Sequence, residues 1–145
     1  MEKGLDEWSP QGPVTELPDE RSWELLKRVS FGRLGLSLDG RPEIFPIDYH
    51  VDGRSIVFRT AAGTKLLDLT NNPEIVLEAD ERNDRGAWSV VLKGLAAVVD
   101  NADEIAAADR FELPNWVPVR EYVYVRITPS SMMGRSFERH VRPQA

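Results

Sequence analysis

The sequence predicts a mainly β (α+β) fold, a small antiparallel barrel of about six strands with two or three short helices. Short runs rich in β-branched and aromatic residues recur along the chain, as is typical of strands. Asp39-Gly40 and Asp52-Gly53 are hairpin-turn signals that join the first three of these runs. Helical patterns are too few to alternate with every strand, so hairpins rather than parallel βαβ units are expected.

The N-terminal part is predicted to be an extended arm over residues 1–17, followed by a single domain over residues 18–145. The arm contains glycines and prolines and shows no hydrophobic periodicity. A helix follows, with Asp19 as its predicted N-cap and its end near residues 30–32. Its apolar side consists of Trp23, Leu25, Leu26 and Val29.

Three strands are predicted next, over residues 33–38, 43–51 and 55–60, and they form a meander. The second strand contains Pro46. Because proline cannot donate a ladder hydrogen bond, this strand is expected to lie at a sheet edge or to carry a bulge.

The end of the third strand is the strongest candidate for a binding site. A short helix is predicted from Thr64 to residue 72, where Pro73 must end it. Arg59 and Thr60 at the strand end, with Thr64 and Lys65 at the helix start, bring two cations and two hydroxyls beside unpaired helical amides. This combination suits a small anion such as a phosphate monoester.

A structural alternative remains open at this joint. Arg59 would then pair with a carboxylate such as Asp68, and Lys65 would point into water. The Gly-Lys-Ser/Thr ending of a P-loop is absent, so a nucleoside triphosphatase is not indicated.

The second half of the chain is predicted to contain three more strands and one helix. Strands are expected over residues 74–79, 88–100 and 121–128, with a charged turn over 80–86 and a bend at Gly94 in the longest strand. A helix capped by Asn101 or Asp103 should run to about residue 111. Residues 112–119 are predicted to be a loop, and no element is predicted after residue 128.

Composition limits the partners that this chain can have. Its 145 residues, 41% hydrophobic and 29% charged, are enough for one globular core. A net charge of −6 disfavours nucleic acids and anionic membranes as partners. With no cysteine and only two histidines, His50 and His140, we expect no disulfide, no thiolate metal site and no multi-histidine metal site.

No segment of the sequence has the pattern of a membrane span or of a secretion signal. No apolar run approaches the ~18 residues that a transmembrane helix needs. The N-terminus is polar and acidic rather than basic and then apolar. We therefore expect a cytoplasmic protein.

Several short motifs occur in an order that is similar to that of one known family. They are Gly-Arg-Leu-Gly (32–35), Gly-Arg-Pro (40–42), Phe-Pro-Ile-Asp-Tyr (45–49), Val-Phe-Arg-Thr (57–60), Gly-Thr-Lys (63–65), Asn-Pro (72–73) and Trp-Ser-Val-Val-Leu-Lys-Gly (88–94). Over about residues 19–137 the chain resembles the pyridoxamine 5′-phosphate oxidase-like, FMN-binding split-barrel family. The resemblance implies a six-stranded antiparallel split β-barrel that forms a homodimer, with two flavin sites at the dimer interface.

The resemblance also assigns roles to individual residues. Arg59, Thr60, Thr64 and Lys65 would hold the FMN phosphate, at the anion site predicted above. The strand containing Pro46, Ile47 and Asp48 would run beside the flavin ring. Trp88 and Ser89 would reach the cofactor from the partner chain, and Arg135 would complete the site.

The implied function is a flavin-dependent oxidoreductase that acts on an unidentified small substrate, with NAD(P)H as one candidate electron donor. Because the cofactor carries the electrons, no catalytic side chain is predicted. The full substrate-phosphate signature of the true oxidases is missing near the C-terminus, so pyridoxamine phosphate is not the expected substrate. A deazaflavin or haem in place of FMN, a non-catalytic carrier and a scaffold without a ligand remain alternatives.

Overall fold

The computed structural model describes residues 11–62, 72–114 and 121–139. Within these ranges there are two helices and eight strands. The helices are α1 (Asp19–Val29) and α2 (Ala102–Ala108). The strands are β1 (Gln11–Leu17), β2 (Phe31–Leu38), β3 (Arg41–Asp48), β4 (His50–Asp52), β5 (Ser55–Ala61), β6 (Glu74–Asn83), β7 (Gly86–Val98) and β8 (Tyr122–Arg139).

All described strands belong to one curled antiparallel sheet, and this confirms the predicted mainly β, split-barrel fold class. The strand order is β3-β2-β6-β7-β8-β5-β4, and β1 adds to β8. The six predicted strands are all present. The number rises to eight because the predicted strand over 43–51 is divided into β3 and β4, and because residues 11–17 of the predicted arm form β1.

Tyr49 is the residue at which the sheet closes on itself. The chain leaves β3 at one edge of the strand order and enters β4 at the other edge, with Tyr49 as the single residue between them. Its side chain is 1% exposed, and its hydroxyl donates a hydrogen bond to the Leu26 carbonyl, 2.7 Å away. Its backbone N–H donates to the Ser30 carbonyl at 3.1 Å. Both partners lie at the C-terminal end of α1, so this helix holds the seam closed.

The core fills the concave side of the sheet beneath α1. On β6 the buried side chains alternate with half-exposed ones, which is the period-2 pattern of a strand with one face in the core. Residues from α1 and from five strands share this core: Leu25, Leu26, Leu34, Phe58, Leu77, Leu92 and Ile127. A second, smaller cluster joins α2 to the other side of β5 and β8 through Val57, Val99, Ala108 and Tyr124.

The ends of the helices differ slightly from the predicted ones. Pro18, not Asp19, occupies the N-cap of α1 and makes no side-chain cap hydrogen bond. Ser30 ends that helix in the left-handed region, at φ 52°, within the predicted range. The Asn101 side chain caps α2 as predicted, accepting from the amides of Asp103 and Glu104, but α2 ends at Ala108, before residue 111.

Two strands extend well beyond their predicted ends. Most of the charged stretch over 80–86 continues β6 to Asn83, whose side-chain oxygen accepts from the amides of Arg85 and Gly86 and forms a tight turn. The region after residue 128, for which no element was predicted, continues β8 to Arg139, because β7 and β1 pair with its two edges.

The two unusual residues within the predicted strands behave as expected. Pro46 lies in β3, which is an edge strand in the sheet order. The register of β7 and β8 shifts between Lys93 and Gly94, which confirms the predicted bend at Gly94. A side chain at Gly94 would collide with the backbone of Thr128, so only glycine fits this approach.

The short helix predicted from Thr64 to residue 72 lies outside the described residues, except for residue 72. In the part of the chain that is described, no helix is long and apolar enough to cross a membrane.

The Tyr49→Phe variant should unfold at a lower urea concentration than the native chain. Removal of the hydroxyl takes away a buried hydrogen bond to Leu26, for which we expect a loss of about 1 kcal/mol in the free energy of unfolding. Tyr124→Phe is the matched control. Its hydroxyl donates to Asp109 at the same 2.7 Å distance but on the other side of the sheet, so its removal deletes a hydrogen bond that does not hold the seam. Equal urea midpoints for the Tyr49→Phe variant and the native chain would contradict the conclusion that Tyr49 holds the seam closed.

Candidate functional site

Arg59 lies near the end of β5, opposite Tyr124 of β8. Its guanidinium Nη2 donates to the backbone oxygens of Leu113 at 2.7 Å and Pro114 at 3.2 Å. The guanidinium also lies over the Tyr122 ring, 4.3 Å from its centroid. Its partners are therefore carbonyls and an aromatic face, and no carboxylate within the described ranges pairs with it. The alternative partner Asp68, together with Thr64 and Lys65, lies outside those ranges.

A cavity of about 520 Å³ opens beside the sheet seam, close to the segment that Arg59 binds. Asp48, Tyr49 and His50 line one side, and residues 110–114 line the other. The His50 ring stacks on Phe111, with centroids 3.8 Å apart and planes inclined by 18°. Arg59 binds the backbone of residues 113–114, and residues 110–114 line this cavity opposite Asp48. The structure therefore brings Asp48 of the predicted ring-side strand into the same region as the end of β5, which carries Arg59 and Thr60.

The other two residues of the ring-side strand lie on opposite faces of β3. Ile47 packs against the main core, whereas Pro46 is exposed and lies opposite Arg33 of β2. Of the three predicted ring-side residues, Pro46 and Asp48 therefore share the convex, outer face of the sheet, because side chains alternate along a strand.

Trp88, Ser89 and Arg135 form a separate group at the far end of β7 and β8. Ser89 lies opposite Arg135 in the register of these two strands. The exposed Arg135 guanidinium donates to the Met133 sulfur at 2.9 Å. Trp88 points to the other face, where it packs against the core and donates from Nε1 to the Glu81 carboxylate at 3.1 Å.

Within one chain these two groups lie far apart along β8. Arg59 pairs with Tyr124, whereas Arg135 lies eleven positions further along β8. At ~3.3 Å per residue, that separation is roughly 35 Å of strand. The structure thus divides the predicted site into an Arg59 group, with Asp48, and an Arg135 group, with Ser89, while the Thr60 side chain lies on the other face of β5 from Arg59.

A charged cluster that the sequence analysis did not identify lies between the two groups on the outer face. Arg33 Nε donates to Glu78 Oε1 at 3.0 Å, and its Nη2 donates to Asp80 Oδ2 at 2.6 Å. Arg33 is opposite Pro46 on one side and opposite Glu78 on the other. The sequence feature that could have indicated this cluster is a pair of acids at alternate positions, 78 and 80, in a strand whose intervening residues are apolar or small.

The two carboxyls of this cluster titrate differently. Burial, and next the neighbouring Asp80 carboxyl, raise the pKa of Glu78 to about 7. Hydrogen bonding from Glu78 and Arg33 lowers the pKa of Asp80. Below a pH of about 7 the pair therefore retains one proton, on Glu78, and Asp80 carries the charge that Arg33 balances.

Apolar side chains surround a groove of about 970 Å³ on the same outer face. Ile44 is 67% exposed and Leu95 is 53% exposed, and Gly35 and Val76 lie between them. Exposed aliphatic residues in one groove are typical of a surface that a ligand or another protein covers.

Comparison with known proteins identifies relatives over nearly the whole chain. A family model described as pyridoxamine 5′-phosphate oxidase matches residues 18–136. The uncharacterized protein Rv0080 of Mycobacterium tuberculosis H37Rv is 31% identical, over 92% of this chain and 93% of its own length.

Two solved structures share both the fold and substantial sequence identity. A Corynebacterium glutamicum protein provisionally assigned as a pyridoxamine 5′-phosphate oxidase is 38% identical, with a TM-score of 0.79 over 95% of this chain and 100% of the other. An FAD-binding protein from Mycobacterium smegmatis is 36% identical, with a TM-score of 0.75 over 86% of this chain and 98% of the other.

The raised pKa of Glu78 predicts how stability depends on pH. Between its ordinary value of 4.5 and about 7, the folded chain holds a proton that the unfolded chain releases. The contribution of Glu78 to the free energy of unfolding is therefore complete below 4.5 and declines as the pH rises through 7. Urea midpoints measured from pH 4.5 to 8 should show this decline.

The Glu78→Gln variant should show a flatter pH profile across the same window. The amide imitates the protonated acid, since it can still accept from Arg33 and donate to Asp80. Glu74→Gln is the control, because Glu74 is exposed on the same strand. A slope that persists unchanged in the Glu78 variant would assign the titration to another group.

Proposed function

The chain belongs to the pyridoxamine 5′-phosphate oxidase family, and from this premise we propose that it is a homodimeric FMN-dependent oxidoreductase acting on a small substrate. The observation that carries the proposal is the separation of the Arg59 group from the Arg135 group along β8. Residues that cannot enclose one flavin within a chain can do so when two chains meet, each contributing one group.

The residues at the end of β5 fit the phosphate of a flavin mononucleotide. Arg59 supplies a fixed cationic fork, because its stacking on Tyr122 and its hydrogen bonds to the 113–114 backbone set the orientation of the guanidinium. Thr64 and Lys65 follow within six positions in the sequence and would add a hydroxyl and a second cation, whereas the Thr60 side chain lies on the opposite face of β5. A phosphate monoester, with its two negative charges, matches this donor set.

The outer face of the sheet fits a planar ring and a second chain. Exposed Ile44 and Leu95 provide apolar surface, and Pro46 contributes no amide that would need a partner. The cost of leaving these side chains in water is removed when a partner covers them. The Arg33–Glu78–Asp80 cluster would lie within this covered surface.

When bound, FMN would accept and donate the electrons of the reaction. The chain itself would bind and orient the cofactor and exclude water from it. Glu78 would hold a proton on its carboxyl near neutral pH, which makes it the candidate proton donor on this face. NAD(P)H is proposed as the electron donor, and the second substrate is a small molecule whose identity the site does not specify.

Purified protein titrated with FMN should bind it stoichiometrically and show a flavin absorption spectrum. Added NADPH or NADH should bleach that spectrum, and air or an acceptor should restore it. Binding without bleaching would make the protein a flavin carrier. A Soret band, or binding of a deazaflavin in preference to FMN, would replace FMN in the proposal.

Arg59→Gln should weaken FMN binding roughly tenfold to a hundredfold, the effect of losing a charge-assisted hydrogen bond to phosphate. Lys65→Ala should have a similar effect. Flavin fluorescence titration measures the change, and Arg41→Gln, an exposed arginine on β3, is the matched control. Unaltered affinity in both site variants would place the phosphate elsewhere.

A complementation experiment tests whether two chains share each site. Arg59→Gln and Arg135→Gln homodimers should both bind FMN weakly. Mixed dimers of the two variants should regain one normal site per dimer. One of the two sites then contains Arg59 from one chain and Arg135 from the other, both native. The shared site would be refuted if FMN binding did not recover after subunit exchange. It would also be refuted if the native protein bound FMN tightly and light scattering showed it to be a monomer.

A further inference from the structure

A second concave site lies between α1 and the hairpin that joins β6 to β7, on the face of β7 to which Trp88 points. Its volume is about 540 Å³. Four of its lining residues are arginines, and Glu81 is its one acidic lining residue among those described. The arginines are Arg21, Arg28, Arg82 and Arg85. In a chain whose net charge is −6, such a cationic concentration is a local feature of this cavity.

The arginines converge because of helix periodicity and a tight turn. Arg21, Leu25 and Arg28 recur at helical spacing and share one face of α1. Leu25 is 3% exposed, so its burial in the core fixes that face toward the hairpin. On the facing hairpin, the Asn83 side chain accepts from the amides of Arg85 and Gly86 and fixes the turn.

The floor of the cavity is organised by a single carboxylate. Glu81 Oε1 accepts a hydrogen bond from Trp88 Nε1 at 3.1 Å and forms an ion pair with Arg28 Nη2, 3.0 Å away. This arrangement orients the indole and one guanidinium together. Glu81 balances the charge of Arg28, so the positive charge that faces a ligand comes from Arg21 and Arg85.

The other arginines have weak partners or none. Arg21 forms an exposed ion pair with Glu24 on its own helix, an interaction worth little in water. The Arg85 guanidinium has no ion pair or hydrogen bond to any residue in the described ranges. The sequence alone indicated only solvated turn charges at positions 82 and 85. The fold brings Arg85 opposite two helical arginines, whereas Arg82 shares the outer face of β6 with Asp80, whose pKa its charge helps to lower.

We propose that this cavity, the α1–hairpin site, binds a small phosphorylated molecule independently of the flavin. Guanidinium forks match phosphate oxygens in pairs, and several around one cavity favour a ligand with more than one negative charge. The oriented Trp88 indole offers an aromatic surface to the uncharged part of such a ligand. The cavity size suits a small molecule, and the overall negative charge of the protein opposes an extended polyanion such as a nucleic acid.

Inorganic pyrophosphate is the probe for this site, measured by isothermal titration calorimetry on the full chain with and without added FMN. Arg85→Gln should weaken pyrophosphate binding about tenfold, because it removes a charge-assisted contact without disturbing any partner of that side chain. Arg28→Gln should weaken it as well. Arg41→Gln, which removes the same charge far from the cavity in the sequence and on another strand, should leave binding unchanged.

The same titration separates this site from the proposed flavin site. Pyrophosphate binding that Arg59→Gln leaves intact, and that FMN does not compete with, supports an independent site even if the flavin proposal fails. If Arg59→Gln abolishes pyrophosphate binding and Arg85→Gln leaves it unchanged, the anion binds at β5 and the proposal is overturned. Equal weakening by Arg41→Gln, no heat of binding, or binding that appears only after removal of the acidic residues 1–10 would overturn it as well.

Discussion

The hydrogen bonds of Tyr49 to the end of α1 hold together a sheet whose two edge strands are joined by a single residue. Its amide and its hydroxyl reach two carbonyls of the same helix end, at Ser30 and Leu26. Because the side chain is buried, water cannot replace either bond without opening the core. The seam also fixes what lies on each side of it. Asp48 and His50 face one cavity because Tyr49 between them turns inward, and His50 then meets Phe111 close to the segment that Arg59 binds.

The length of β8 determines how the candidate site can be assembled. This strand pairs with β7 along almost its whole length, and its other edge pairs with β5 at one end and with β1 at the other, so it is the common partner of both groups of site residues. A long strand makes a stable sheet, but it separates Arg59 from Arg135 by more than the size of a flavin ring. The exposed apolar groove on the outer face lies between these ends. A second copy that covers the groove would bring opposite ends of two β8 strands together.

Much of the fold could be predicted from the sequence because local patterns agree with tertiary structure over most of the chain. The turns at Asp39-Gly40 and Asp52-Gly53, the Asn101 cap and the bulge at Gly94 all follow from residues whose backbone or side-chain preferences are strong. Two regions lacked such signals. In residues 80–83 the charged side chains resemble a turn, yet pairing with β7 keeps them extended. In residues 129–139 pairing on both edges outweighs a weak strand propensity.

The candidate site was only partly predictable for a related reason. Arg59, Thr60 and Ser89 stand out because their residue types and positions suggest ligand contacts. The ion pairs of Arg33 with Glu78 and Asp80 depend on the register of β2 and β6, which lie about forty positions apart in the chain. No short-range pattern encodes that register. The same holds for the α1–hairpin cavity, where helix and hairpin residues meet only after the sheet has formed.

The alternation of Trp88 and Ser89 constrains how this gene can change length. These neighbours serve opposite faces of β7, one toward the arginine-lined cavity and one toward Arg135. Insertion of one codon just before them would invert the phase of both side chains and exchange an indole for a hydroxyl on each face. Descendants of this chain should therefore vary here by substitution, and gain or lose residues at the hairpin tip around Asp84.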